Sequence, residues 1–430
     1  VAVAAPAVLV GGIVAGAPVA AQDASPGAEA SAAPAVSAPP ALAAEVAEII
    51  DQVAALRELP VLEEVVWQLG DRERALAEQL DREIAKPETA DRFAQDERIL
   101  TRLGLVPEGT DLLALTVDTL QGQVAGFFDP ETKSLTVLDD DGVLDVASRI
   151  TLAHEVDHAI GDQHWDLQAM KDAIPLLEGD RQGALQALIE GDATLLMTLW
   201  SAKHAASDLM GLDEEGLPGS QSIEGLPQIL QRQLLFPYLD GLTFVMNAWG
   251  PGGWAGVDAL WEAPPVSTEQ ILHPEKYPDE LPIEVVLPDV AALLGEGWAQ
   301  TGETVMGELG IQVLAADGAE WDPMSFTLGG QTMPNAEVAA GWGGDRLVTL
   351  DGPDGAWALV WQTAWDSEVD AVEFFEGGTA AISSLPYAQF ASHEDITGTG
   401  LAEPVLVVLA SDEPTVELVR SALQVGPDAG

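Results

Sequence analysis

One stretch constrains the architecture more than any other. Leu152–Leu167 reads LAHEVDHAIGDQHWDL and holds His154-Glu155-Val156-Asp157-His158, the pattern H-E-x-x-H. Residues i and i+4 of a helix stack on one face, so the two imidazoles can reach a single zinc ion only if this stretch is helical. Glu155 then sits one step round the helix, beside an open coordination position, where it can take a proton from water. Helical periodicity from about Leu144 to Gln163 predicts that helix. Asp157 places a charge inside the motif. It removes no ligand, and it either orients one or faces solvent.

A hydrolytic zinc site needs a third protein ligand and an open fourth position, and two residues compete for the role. Residues 154–164 match H-E-x-x-H-x-x-G-x-x-H, in which Gly161 frees the chain to bring His164 back to the metal. Glu190, in Ala187–Thr194 (ALIEGDAT), lies 32 residues beyond His158, enough for a loop and a returning helix. Ala187, Gly191, Ala193 and Thr194 are small and would let that helix approach the first closely. A carboxylate on such a face needs a partner, and a metal supplies one. Asp162, four residues after His158, and Asp192, two after Glu190, are candidates to hold ligands in place.

His154–Leu167 (HEVDHAIGDQHWDL), Ala187–Thr194 (ALIEGDAT) and Ser267–Tyr277 (STEQILHPEKY) together resemble a largely uncharacterised group of exported bacterial zincin-type metallopeptidases. In that group the first segment reads approximately HExxHALQDQHFDL. Val124–Thr132 (VAGFFDPET) and Gly343–Arg346 (GGDR) fit the same group, so the resemblance covers roughly residues 95–375. Gln usually stands there at the position of Gly161, which makes the metzincin match to His164 accidental. The resemblance implies the gluzincin, thermolysin-like class. In that class His154, His158 and Glu190 would hold Zn2+, Glu155 would act as general base, and the substrate would be a peptide or protein. His273 and Tyr277 fall in the third segment. Because such hydrolysis gains from a donor to the tetrahedral oxyanion, both are catalytic candidates. The alternative is a helix-capping loop fixed by Thr268 and Pro274.

Composition narrows the alternatives. The 430 residues carry 71 Asp+Glu against 17 Lys+Arg, a formal charge of −54, which excludes nucleic acid as a partner because phosphate binding needs a basic surface. The acids are scattered along the chain and read as a solvated surface. Without cysteine there is no disulfide framework, thiolate ligand or thiol nucleophile. At 47% hydrophobic residues the chain is long and apolar enough for a folded core.

The expected fold class is α+β, with a mainly helical zincin-like catalytic domain and then a small α/β C-terminal domain. Residues 1–22 are uncharged and end in Val19-Ala20-Ala21, which predicts a signal peptide over 1–21 and a secreted or extracytoplasmic protein. A membrane is a partner only if that segment stays uncleaved as an anchor. Residues 22–41 read as a Pro/Ala/Ser linker, 42–282 as the catalytic domain and 283–430 as the smaller domain. Helices are expected over 42–59, 62–69, 73–84, 90–103, 183–204, 226–249, 254–261 and 268–273. A hairpin of Gln123–Asp129 and Ser134–Leu138 should turn at Pro130, with Val124–Phe128 as a possible substrate-pairing edge. After residue 282, strands are expected at 346–350, 356–361 and 405–410, and helices at 368–375 and 414–423. Trp342, Trp357, Trp361 and Trp365 read as core, His204 and His393 as surface. Two rival readings remain: a non-enzymatic exported binding or surface-assembly protein with a structural metal, and a zinc hydrolase of another amide or ester.

Overall fold

The computed structural model describes residues 39–70, 72–121, 126–138, 143–209, 225–316, 319, 333–383, 385, 387–391 and 401–425. The expected signal peptide, most of the linker, residues 123–125 of the expected hairpin and His393 lie outside them. The chain is α+β, with a helical first part and a β-rich C-terminal region. Among the described residues, no helix is long and apolar enough to cross a membrane.

Helix α1 (Pro40–Arg57) starts with Pro at its first position and buries one stripe, Leu42, Val46, Ile49, Val53 and Arg57. It ends at Glu58, whose φ of 62° is left-handed. Residues 62–66 are not helical, against expectation. After Val65 and Val66 comes β1 (Trp67–Gly70), which pairs parallel with β3 (Ser134–Leu138). The Gln163 side chain receives the backbone N–H groups of Leu62 and Glu63, so this segment bonds to another helix and not to itself.

Helices α2 (Arg72–Ile84), α3 (Pro87–Arg102) and α4 (Leu112–Gln121) follow. The hairpin is β2 (Gly126–Asp129) against β3, and it turns as expected at Pro130. Asp129 Oδ1 receives the N–H groups of Glu131 and Thr132 and closes the turn. The sheet order β1-β3-β2 leaves β2 at an edge. All four of its residues are nevertheless buried, because α5 (Val146–Trp165) packs against it.

Asp145 caps α5 by accepting the Ser148 N–H at 2.7 Å. Residues Ile150–Asp162 of α5 are buried without a break, the mark of a central helix. After α6 (Leu167–Asp172) comes α7 (Gly179–Trp200), which is similarly enclosed and passes through a π turn, Ser201–Ala205, into α8 (Ala206–Leu209). Helix α9 (Gln228–Glu262) bends where a break is expected, at Gly253, with φ 57° and ψ −154°. Ser267 caps the short α10 (Thr268–Leu272).

In the C-terminal region, α11 (Val290–Leu294) precedes β4 (Ala299–Thr304) and α12 (Gly307–Ala315). Then come β5 (Trp342–Asp351), β6 (Trp357–Trp365), α13 (Glu368–Ala381), β7 (Ala388–Ala391), β8 (Val405–Ala410) and α14 (Glu413–Leu423). The five strands run β4-β5-β6-β8-β7, and every pair is antiparallel. Alternate residues serve opposite faces. Leu347, Leu359, Trp361 and Val407 pack with α12 and α13, while Val348, Val360, Leu406 and Val408 pack with α11 and α14. Trp342, Trp361 and Trp365 are core residues, as read. The Trp342 and Trp361 indoles both donate to the buried Asp345. Ile99 and Leu100 of α3, with Leu103 just after it, join this second core, so its helical cover comes partly from before residue 282.

Candidate metal centre

Helix α5 carries His154, Glu155 and His158, and α7 carries Glu190. All four are buried. His154 Nε2 lies 3.0 Å from His158 Nε2 and 3.2 Å from Glu190 Oε2, and His158 Nε2 lies 3.5 Å from that same oxygen. Zn–N and Zn–O bonds of about 2.0–2.2 Å at tetrahedral angles separate neighbouring ligand atoms by about 3.3–3.5 Å. The triangle is therefore already the size of one face of a zinc tetrahedron. Two imidazole nitrogens and a carboxylate oxygen that converge in a buried site have more lone pairs than protons to share, and a cation satisfies all three. The donor set fits zinc.

A neighbour fixes the Glu190 carboxylate. Gln186, one turn before Glu190, donates to Glu190 Oε1 at 2.6 Å and leaves Oε2 for the imidazoles. Burial acts to raise the Glu190 carboxyl, but the two imidazoles outweigh it and hold the group down at about 2. His154 is shifted down, burial outweighing the nearby carboxylate. Glu155 Oε2 accepts the outward N–H of Phe128 on β2 at 2.8 Å, and its Oε1 is buried without a hydrogen-bond partner. Burial pushes the Glu155 carboxyl well above its ordinary range. The β2 edge thus spends an N–H on the catalytic candidate, where a substrate strand was expected to pair.

The small residues around Glu190 serve a different neighbour from the one expected. A Cβ on Gly191 would lie 2.3 Å from the Gly241 carbonyl oxygen, and one on Gly241 would lie 2.2 Å from that of Ala187. The close approach is thus between α7 and α9. It brings in Tyr238, which is buried with its ring centroid 6.3 Å from that of His154. Burial, followed by the Glu190 and Glu155 charges and a hydrogen bond to Glu190, pushes the Tyr238 phenol well up. A cavity of about 300 Å³ adjoins Glu190 and Tyr238, with Leu115, Leu230, Leu234 and Leu309 in its wall.

His164 does not come to the cluster. Helix α5 runs unbroken through Gly161, which puts His164 about 15 Å along the axis from His154. Its Nε2 pairs with the Pro60 carbonyl at 2.9 Å. His273 and Tyr277 have partners of their own. His273 Nε2 meets Glu308 at 2.9 Å, and the Tyr277 hydroxyl donates to the Ala263 carbonyl at 2.6 Å. Their segment is a staple between the helical part and the C-terminal sheet. In it Thr268 binds Asp180, and Lys276 gathers Glu269, Glu280 and Asp366.

The nearby acids also have other partners. Asp162 pairs with Lys133 at 2.7 Å and accepts the Leu167 N–H. Asp192 is held by Arg57, and Asp157 is buried beside that pair. Tyr238, Gln186 and the Phe128 N–H escaped the sequence reading. The one signal for Tyr238 is Gly241 three residues on, which puts it on the face where α9 touches α7.

A family model described as a domain of unknown function, DUF8575, matches residues 294–424, from the end of α11 through α14. No curated protein and no solved structure matches the chain.

Proposed function

We propose that the chain is an exported zinc-dependent peptidase. The observation that carries this reading is the convergence of His154 Nε2, His158 Nε2 and Glu190 Oε2 at 3.0–3.5 Å beside a Glu155 oxygen with no partner. Zinc held there would supply Lewis-acid polarisation of a carbonyl and make water more acidic. Glu155 Oε1 takes a proton from that water and returns it to the leaving amine. The Phe128 N–H keeps the other carboxyl oxygen anchored, so the free one stays aimed. Tyr238, a neutral phenol hydrogen-bonded to Glu190 here, would turn to donate to the developing oxyanion. The adjoining cavity accepts an apolar side chain of the substrate. With His164 committed to Pro60, three protein ligands remain among the described residues, which supports an open fourth position over a closed structural site.

The test is Glu155→Gln in the full chain, assayed against a mixed library of apolar-rich peptides. Zinc content should stay at the wild-type level while cleavage falls about 10²–10⁴-fold. Cleavage at the wild-type rate would remove Glu155 from the mechanism.

A further inference from the structure

Arg57 is the last residue of α1, in line with its apolar stripe, and its side chain is 1% exposed. Arginine is almost never buried so completely without partners. Its Nε and Nη2 form a fork on the two Asp192 oxygens at 3.0 and 2.9 Å, and Nη1 reaches Asp258 at 2.8 Å. The guanidinium also lies 4.5 Å from the Trp254 ring centroid and 5.7 Å from that of Trp165. Asp192 takes a further bond from the Trp261 indole at 2.7 Å.

The position of this clasp gives it meaning. Asp192 follows Glu190 by two residues, about 200° round α7, so Arg57 grips the back of the helix whose front presents the ligand. Asp157, next to His158 on α5, is buried in the same place, with its Oδ1 lacking a hydrogen-bond partner. Between the two acids a void of about 10 Å³, room for one water, is bounded by Arg57, Asp157, His158, Asp192 and Trp261.

We propose that Arg57 is a positioning residue of the metal centre, holding α5 and α7 at the spacing their ligands need, and that α1 is therefore part of the site. The proposal rests on the metal reading above. The Arg57 fork grips Asp192 of α7 through two parallel bonds, and the same guanidinium packs against Trp165 at the end of α5. A water in the void would link Asp157 to the outer side of the His158 ring, the support that ligating histidines usually have. Metal sites tolerate ligand displacements of only about 0.2 Å, so a small separation of α5 from α7 weakens binding before it unfolds the protein.

The experiment measures zinc affinity by chelator competition, and the d–d absorption spectrum of the cobalt-substituted protein. It uses the full chain carrying Arg57→Met, Arg57→Lys or Asp258→Asn, with circular dichroism to report the fold. Arg57→Met should stay folded, weaken zinc about 10–100-fold and alter the cobalt spectrum. Arg57→Lys keeps the charge without the fork and should fall between it and wild type. Asp258→Asn removes only the outer, partly exposed arm and should change affinity less than about threefold. Folded Arg57 variants with wild-type affinity and spectrum would overturn the proposal. If Arg57→Met does not fold, Arg57→Lys decides: weaker zinc supports positioning, and unchanged zinc overturns it. A wild-type chain that binds no zinc would refute the metal reading itself and this proposal with it.

Discussion

Asp180, in the first turn of α7, tests whether the ionisation of a buried acid controls the stability of the fold. It is buried, and it receives the Thr268 N–H at 3.2 and 3.1 Å on its two oxygens, together with the Thr268 hydroxyl. Burial raises its carboxyl most, the Asp345 and Glu308 charges add to that, and the bonds from Thr268 oppose it. The net result is a rise from 3.8 to about 7. The folded state thus binds a proton that the unfolded state releases between those values, so stability from this group is fully present below pH 3.8 and is lost as pH rises to 7. At 1.36 kcal/mol per unit the loss is about 4 kcal/mol, a large part of a typical net stability. Asp180→Asn cannot ionise, and its amide oxygen can still accept from Thr268. Guanidinium unfolding of both proteins in chelator, at half-unit steps from pH 4 to 8, isolates the difference. Wild type should lose about 4 kcal/mol more than the variant across that range, mostly below pH 7. Parallel curves, within about 1 kcal/mol, would refute the linkage and mean that Asp180 is ionised in the folded protein at its ordinary pKa.

Gly241→Ala would put a methyl 2.2 Å from the Ala187 carbonyl oxygen. The α7–α9 pair must open, so the variant should lose about 1–3 kcal/mol in a denaturant titration and bind zinc more weakly. Tyr238→Phe keeps the ring and removes the donor. It should lower kcat about 10²–10³-fold with KM nearly unchanged, whereas a purely structural tyrosine would leave kcat alone.

The part of the site most legible in the sequence was the part written in local spacing. His154, Glu155 and His158 follow from helical geometry, and Glu190 from being a carboxylate on an otherwise apolar helix face. The hairpin at Pro130 and the bend near Gly253 were equally local. What escaped depends on contacts between distant segments. Residues 62–66 mix Leu and Val with two glutamates in a pattern that suits helix or strand, and pairing of Val66 and β1 with β3 decides it. His273 and Tyr277 sit in a motif-like segment, yet Glu308 and the Ala263 carbonyl claim them from far along the chain. Arg57 reads as an ordinary C-terminal helix cation until its burial against Asp192 is seen.

The proposed chemistry depends on the cluster of His154, His158 and Glu190. The most direct test is zinc per chain after dialysis in wild type, Glu190→Ala and His164→Ala. The cluster predicts about one zinc in wild type and in His164→Ala, and little in Glu190→Ala. Loss of metal in His164→Ala alone, or none in wild type, would contradict it.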